Sequence, residues 1–541
     1  MIKKSVSLIL VLMLTLVALA GCDQSKESQE DTQEAVLKWN IGSEPKTIDP
    51  QRNSAADGGH VINNIFEGLM REVNGELVNA IAESYDISED RLTYTFHLRD
   101  AKWSDGQPVT AQNFEYAWKR ALDPHLVPHP YEYAFQMFYI KGAQEAYEGN
   151  GSLDNVAINA VDEKTLEVTL NAPTEYFLYL TAFYTYMPVR KDMVEQDPEN
   201  WAKNPKLAVS NGPFKLVEYR MGDRLVLEKN ENYWNAEKVA IDRIEASMIV
   251  EESTALAAYE SGKIDVNDHL PISEIARLQE NDENFQILPE LGTYYYIFNV
   301  TKAPTNDVRV RKALTMAIDR KAITEKITKA GELPATGFVP PGLTDAEGKE
   351  FRVVAGSYGL DPNAAQVEEA KKLLGEAGYP NGQGFPKIQI IYNTLERHKA
   401  VAEAVQEMWQ QNLGINVELV KQDWAEFQDT RNKGNFTVAR GGWLGDYPDL
   451  MTMLDLWLSY SGNNDAHWKN PKYDNLIEES KRLTGQERFQ LLYEAEALMM
   501  NEKIVMPIYY YTRPQVVRAR VKNWQKTRMS HWYFGEAFIK E

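Results

Sequence analysis

Apolar residues at Leu92, Tyr94, Phe96 and Leu98 alternate with polar neighbours, the period of a strand with one buried face. After Trp103-Ser-Asp-Gly-Gln-Pro-Val109 the period lengthens. Phe114, Ala117, Trp118, Ala121 and Leu122 recur at helical spacing, with Thr110 placed to cap the start and Asp123-Pro124 to end the run. Leu166, Val168 and Leu170 alternate again as a strand. The clearest unit lies further on: an apolar run at 388–392, then Val401, Ala404, Val405, Met408 and Leu413 on a helix stopped by Gly414, then a second strand at 415–420. Strand, helix, strand is a βαβ unit, which predicts a parallel pair with a right-handed crossover. Ligands of such sheets bind outside the carboxyl ends of the strands, here residues 393–398 and 422–424. Pro and Gly clusters at 334–342 and 378–386 are expected to be surface loops.

The first 34 residues follow no such pattern. Lys3 and Lys4 precede an apolar run at 5–20 that closes in Leu19-Ala-Gly-Cys22, the layout of a secretory signal. Residues 23–34 (DQSKESQEDTQE) contain no large apolar side chain and are expected to stay solvated as a tether. Cys22 is the one cysteine in 541 residues, so there is no disulfide framework and no second thiol for catalysis. The rest of the chain has enough apolar content, 43% overall, for a large core and about three domains. A net charge of −21 repels nucleic acid and anionic lipid surfaces.

Candidate chemistry points to binding. There is no phosphate loop ending in Lys-Ser/Thr, no HExxH, no Gly-x-Ser-x-Gly and no cysteine pair. The eight histidines are scattered, and no two share metal-ligand spacing on one helix. Three aromatic blocks stand out: Gly292-Thr-Tyr-Tyr-Tyr296, Tyr509-Tyr-Tyr-Thr-Arg-Pro514 and Ala439-Arg-Gly-Gly-Trp-Leu-Gly-Asp-Tyr447. Their broad faces with polar tips suit a ligand of variable side chain, and the tyrosine runs read equally as buried strands. In the third block Arg440 and Asp446 stand six apart in a Gly-rich segment that no periodicity explains.

These residues resemble the oligopeptide-binding proteins of ABC importers, the large three-domain class of solute receptors. The resemblance is carried by Glu44-Pro-Lys-Thr-Ile-Asp-Pro50, residues 103–110, Ser210-Asn-Gly-Pro-Phe-Lys215, Asn232-Tyr-Trp234, Asp307-Val-Arg-Val-Arg-Lys-Ala-Leu314 and residues 443–447. Leu19-Ala-Gly-Cys22 resembles a lipobox, with Cys22 diacylated after removal of residues 1–21. The resemblance implies an α/β, periplasmic-binding-protein-like fold of two hinged lobes. The first lobe would comprise 36–66, 192–291 and 515–541, with 67–191 inserted in it as a second domain, and 292–514 would form the other lobe. The chain would cross between lobes near Gly292 and Thr512. The implied molecule is a monomer without cofactor or metal, held to the outer face of the cell membrane by its lipid, and it passes short peptides to a permease.

The same resemblance assigns roles. Asp446 would hold the peptide α-ammonium, and Arg440, Arg431 and His398 the carboxylates of peptides of different lengths. Trp443, Trp424 and Tyr295 would line side-chain pockets. Gly442, and across the cleft Ser54, Ala55 and Ala56, would pair with the ligand backbone, and Asn267 would lie in the same cleft. The chemistry is consistent, because a receptor blind to sequence must read the backbone and the two charged ends. Simpler readings stand beside these: Arg431 and Arg440 as ion pairs, His398 as a helix cap. Two departures are visible. Gly292 and Leu444 occupy positions where some relatives carry a disulfide, and Ile297 stands where some carry an acid.

Overall fold

The computed structural model describes residues 34–540 apart from 74, 126–130, 132, 528 and 529. The charged start, Cys22 and the polar stretch to residue 33 lie outside the described residues. One mixed sheet organises the rest. Its strands lie in the order Val417–Gln422, Ile388–Asn393, Val438–Leu444, Phe285–Phe298, Val505–Val517, Val266–Asn267, Val36–Asn40, Arg243–Ser247, Arg224–Lys229 and Phe214–Arg220, with Leu333–Pro334 added to Val505–Val517. A separate antiparallel sheet carries Ala82–Ile87, Thr93–Leu98, Thr165–Thr169 and Ile158–Ala160.

The sequence patterns fold as their periods require. Tyr94, Phe96 and Leu98 point into the core from Thr93–Leu98. The helix Ala111–Ala121 begins at Thr110, whose N–H donates to Asn113 Oδ1 at 3.0 Å. In the βαβ unit Ile388–Asn393 and Val417–Gln422 pair in parallel around the helix Glu396–Leu413. Gly414 ends that helix at φ +70°, a conformation that costs glycine nothing.

Two long strands hold the molecule together. Phe285–Phe298 and Val505–Val517 pair from Phe285 opposite Val516 to Pro289 opposite Thr512, and again from Thr293 opposite Tyr510 to Ile297 opposite Val505. Between the two stretches the ladder is lost at residues 290–292, opposite Tyr511. Both tyrosine blocks are therefore strands. Tyr294 and Tyr509 stack at 4.6 Å inside the core, while Tyr295 faces the other side of the sheet.

One loop expectation needs correction. Residues 378–386 are largely exposed, but 334–342 is an irregular segment sunk in the interior: Ala335, Phe338, Val339 and Pro340 are buried. Its backbone groups find buried partners. Phe338 and Val339 donate their N–H groups to Glu496 Oε1 at 2.9 and 2.8 Å, and Gly337 donates to the Tyr510 hydroxyl at 3.1 Å. Arg352 closes the network, donating to Glu496 at 2.7 Å and to the Val339 carbonyl at 3.2 Å. Pro and Gly predict irregular backbone here, and the buried carboxylate removes the need for water that otherwise keeps such backbone outside.

Candidate functional site

A cavity of about 410 Å³ opens where the sheet halves meet. Ser54, Ala55, Ala56, Glu252 and Asp268 wall one side, and His398, Trp424, Arg431 and residues 442–446 wall the other. Leu395, Arg397, His398 and Trp424 reach it from the carboxyl ends of the two parallel strands, the position the βαβ unit predicts.

The strand Val438–Leu444 supplies the floor. One edge pairs along its whole length with residues 292–298. On the other edge Val438 and Ala439 pair with Ile390 and Ile391, and from Arg440 onward no strand covers it among the described residues. Its unpaired N–H and C=O groups are a template for one more strand. Two glycines keep that edge low. A Cβ on Gly441 would lie 2.4 Å from the Tyr295 ring, and one on Gly442 would lie 2.3 Å from the Tyr511 hydroxyl and 2.9 Å from Arg440 Nη2.

Charges without counter-ions stand at both ends of this edge. Asp446 is buried; Tyr133 donates its hydroxyl to Oδ1 at 3.2 Å and Gln136 donates Nε2 to Oδ2 at 3.0 Å. Burial, then the neighbouring Asp455, push its carboxyl well above the ordinary carboxylate range. Arg440 packs its guanidinium 4.9 Å over the Tyr294 ring and donates Nη2 to the Tyr511 hydroxyl at 2.8 Å. Among the described residues no ion pair within 4.0 Å includes Asp446 or Arg440. His398 sits on the buried face of its helix, 5.6 Å from Tyr294, with Nδ1 unpartnered, and it does not cap. Burial, reinforced by Arg440 and Arg397, holds its imidazole well below its usual range and therefore neutral.

The remaining candidates divide. Trp424, first residue of the helix Trp424–Asn432, stacks on Phe427 at 6.0 Å and stays partly exposed; Trp443 approaches Tyr133 at 6.5 Å. Both line the cavity, as do Tyr295, Gly442, Ser54, Ala55 and Ala56. Arg431 also lines it, but its Nε is 2.7 Å from Asp465 Oδ2, so its charge is already matched. Asn267 is displaced from its expected place. It lies outside the lining, fully buried in the short strand Val266–Asn267, where its amide accepts from Asn40 and donates to the His269 carbonyl, both at 3.0 Å. It holds the turn carrying Asp268 and His269, which do face the cavity.

Several wall residues escaped the sequence reading. Arg397 stands 3.5 Å from Glu332, Arg513 donates to Glu290 at 2.9 Å across the interrupted ladder, and burial pushes Glu252 up to about 7. Arg397 lies within the segment the βαβ unit marks. Tyr133 and Gln136 carry no local signal at all.

Two sheet halves joined by paired strands around a cavity with an unmatched acid and an unmatched base define a two-lobed binding protein. The chain belongs to the bacterial extracellular solute-binding proteins, family 5, whose middle-region model matches residues 76–465. It is 38% identical over 544 residues to the oligopeptide-binding protein OppA of Bacillus subtilis (strain 168), covering 98% of each chain. The structure is similar to that of Haemophilus influenzae OppA in complex with the peptide RPPGFSPFR, with a TM-score of 0.86 at 33% identity, covering 94% of this chain and 99% of that one. Against an unliganded open form of the murein tripeptide binding protein MppA the TM-score is 0.68 at 34% identity, covering 94% and 98%.

Proposed function

We propose that this chain captures short peptides outside the cytoplasm and presents them to the permease of an ABC importer. One observation carries the reading: buried Asp446 and half-buried Arg440, each without a counter-ion among the described residues, flank one open strand edge in a single cavity. A peptide supplies what is missing, namely an ammonium, a carboxylate and a backbone that extends the sheet. Once an ammonium has drawn off its proton Asp446 only accepts, and Arg440 only donates, so the two ends fix the direction of the guest. Desolvated bonds of this kind are worth about 1.5–3 kcal/mol each. His398, neutral when the cavity is empty, is placed to meet a carboxylate further along the edge.

The lobes of this reading are residues 36–66, 192–291 and 515–541 against 292–514, with 67–191 inserted. The interrupted ladder at 290–292 is where they hinge, and the Arg513–Glu290 pair spans it. The likeness to a peptide complex at a TM-score of 0.86, against 0.68 for an open form, supports a closed arrangement here. The ligand is released unchanged, Cys22 carries a lipid anchor and the receptor acts as a monomer. Native mass spectrometry of protein purified from membranes reads ligand mass, acylation and oligomeric state together. Calorimetry with Ala-Ala-Ala then tests capture, and failure of any free short peptide to bind would overturn the assignment.

The strand edge gives a separate expectation. Gly442→Val drives a side chain into the Tyr511 hydroxyl and Arg440, so affinity falls by about tenfold to a hundredfold for every peptide, whatever its sequence. A loss confined to some sequences would show that Gly442 borders a side-chain pocket and not the backbone track.

A further inference from the structure

A second and larger cavity, about 680 Å³, adjoins the first, and Gln428, Arg431 and Asn463 belong to the walls of both. Its other walls come from residues 135–147 and 171–174 on one side and from 455–463 and 478–482 on the other. The surface is rich in aromatic rings, among them Phe138, Tyr139, Tyr147 and Tyr460.

Among the described residues the charges on these walls are either paired or exposed to solvent, with one exception. Lys481 is 2.8 Å from Glu478, and Arg431 is held by Asp465. Arg482 and Glu145 are exposed at the surface. Asp455 is buried and takes part in no ion pair within 4.0 Å among the described residues, and Lys481 acts on it only from a distance. Burial pushes its carboxyl up to about 7. A buried acid beside a large empty volume leaves a cation to be supplied from outside. The rings favour that sign, since their faces attract cations, and Lys481 already lies 5.7 Å over Tyr139.

We propose that this chamber receives a basic side chain of the bound peptide, a lysine or arginine that passes between Arg431 and Asn463, lays its stem along the aromatic wall and brings its charged head to Asp455. The inference rests on the peptide reading above. It makes Asp455 a specificity residue, distinct from Asp446, which holds the main-chain amine. The chamber exceeds any single side chain, so long residues of either type fit, with water filling the remainder. An acidic side chain would meet an uncompensated carboxyl and is disfavoured.

The test is calorimetry with Ala-Ala-Ala and its three single-lysine and three single-glutamate relatives. At one position lysine is expected to bind about tenfold tighter than alanine, and glutamate weaker. Asp455→Asn should abolish the difference between the lysine peptide and Ala-Ala-Ala, both measured on the same variant, whatever shift the lost charge beside Asp446 gives to the two alike. Gly462→Trp is a second probe: a Cβ there meets nothing within 4 Å, so the ring can occupy the chamber without disturbing the backbone. It too should remove the lysine preference alone. Equal binding of lysine and alanine at all three positions, or a preference that survives Asp455→Asn, overturns the inference while leaving peptide capture standing. Failure of Ala-Ala-Ala itself to bind overturns capture and this inference with it.

Discussion

Asp446→Ala is expected to weaken binding of a peptide with a free amino terminus by about a hundredfold or more, the cost of removing one partner of a buried charge pair. Trp424→Ala, which trims a partly exposed wall, should cost about threefold or less. N-acetylation of the peptide should lose as much as the Asp446 substitution, and the two losses should not add, because each deletes the same contact. Tight binding of acetylated peptides, indifferent to Asp446→Ala, would remove the basis for end recognition.

The same residue predicts a pH dependence. In the empty cavity burial and Asp455 hold the Asp446 carboxyl above its ordinary value of 3.8. An ammonium stabilises the anion and brings that pKa down, so binding releases a proton between the two values. Affinity therefore rises with pH from the ordinary carboxylate range up to the raised value, and levels off above it. Glu252 and Asp455, both near 7, titrate in the same range. The signal to read is consequently the difference in slope between the wild type and Asp446→Asn. Identical slopes would mean that Asp446 is already ionised in the empty protein.

What the sequence disclosed followed the range of the interactions. The βαβ unit was legible because strand and helix periods, and the stop at Gly414, are local. It placed part of the cavity wall before any contact was known. The motifs behind the family resemblance turn out to be joints of the fold. Asp49 accepts from Arg120 at 2.5 Å and from Trp201 at 2.9 Å, Asn211 bonds both ways with the Glu67 backbone, and the Asp307 side chain caps the helix Val308–Met316. They reveal ancestry, and Arg440 and Asp446 reveal chemistry. Gln136 was invisible because it meets Asp446 across 310 residues of chain. Asn267 misled because an amide reads the same whether it faces a cleft or ties a sheet. Segment 334–342 misled for a related reason: the carboxylate that lets it lie inside comes from a helix some 157 residues away.

That carboxylate carries the largest stability prediction. Glu496 receives the Arg352 guanidinium, two backbone N–H groups and the Tyr358 hydroxyl, and its side chain is fully buried. Glu496→Ala leaves the buried Arg352 guanidinium without its counter-ion and two buried amides without partners, at a cost of about 3–5 kcal/mol. Denaturant unfolding should show a markedly lower midpoint. Replacing both ends of the pair, Glu496→Leu with Arg352→Met, should recover part of the loss, since no charge is then stranded. The consequence also reaches the cavity. Phe338, held by this network, packs edge-on against Tyr295 at 5.0 Å and against Trp457 at 5.2 Å, and its carbonyl accepts from the Thr293 hydroxyl at 2.7 Å. Below its unfolding midpoint the alanine variant should therefore bind peptide more weakly although no ligand contact has been removed, and the double variant should regain stability before it regains affinity. An unchanged midpoint for Glu496→Ala would mean that water reaches segment 334–342 after all, and that the wall behind Tyr295 is held by packing alone.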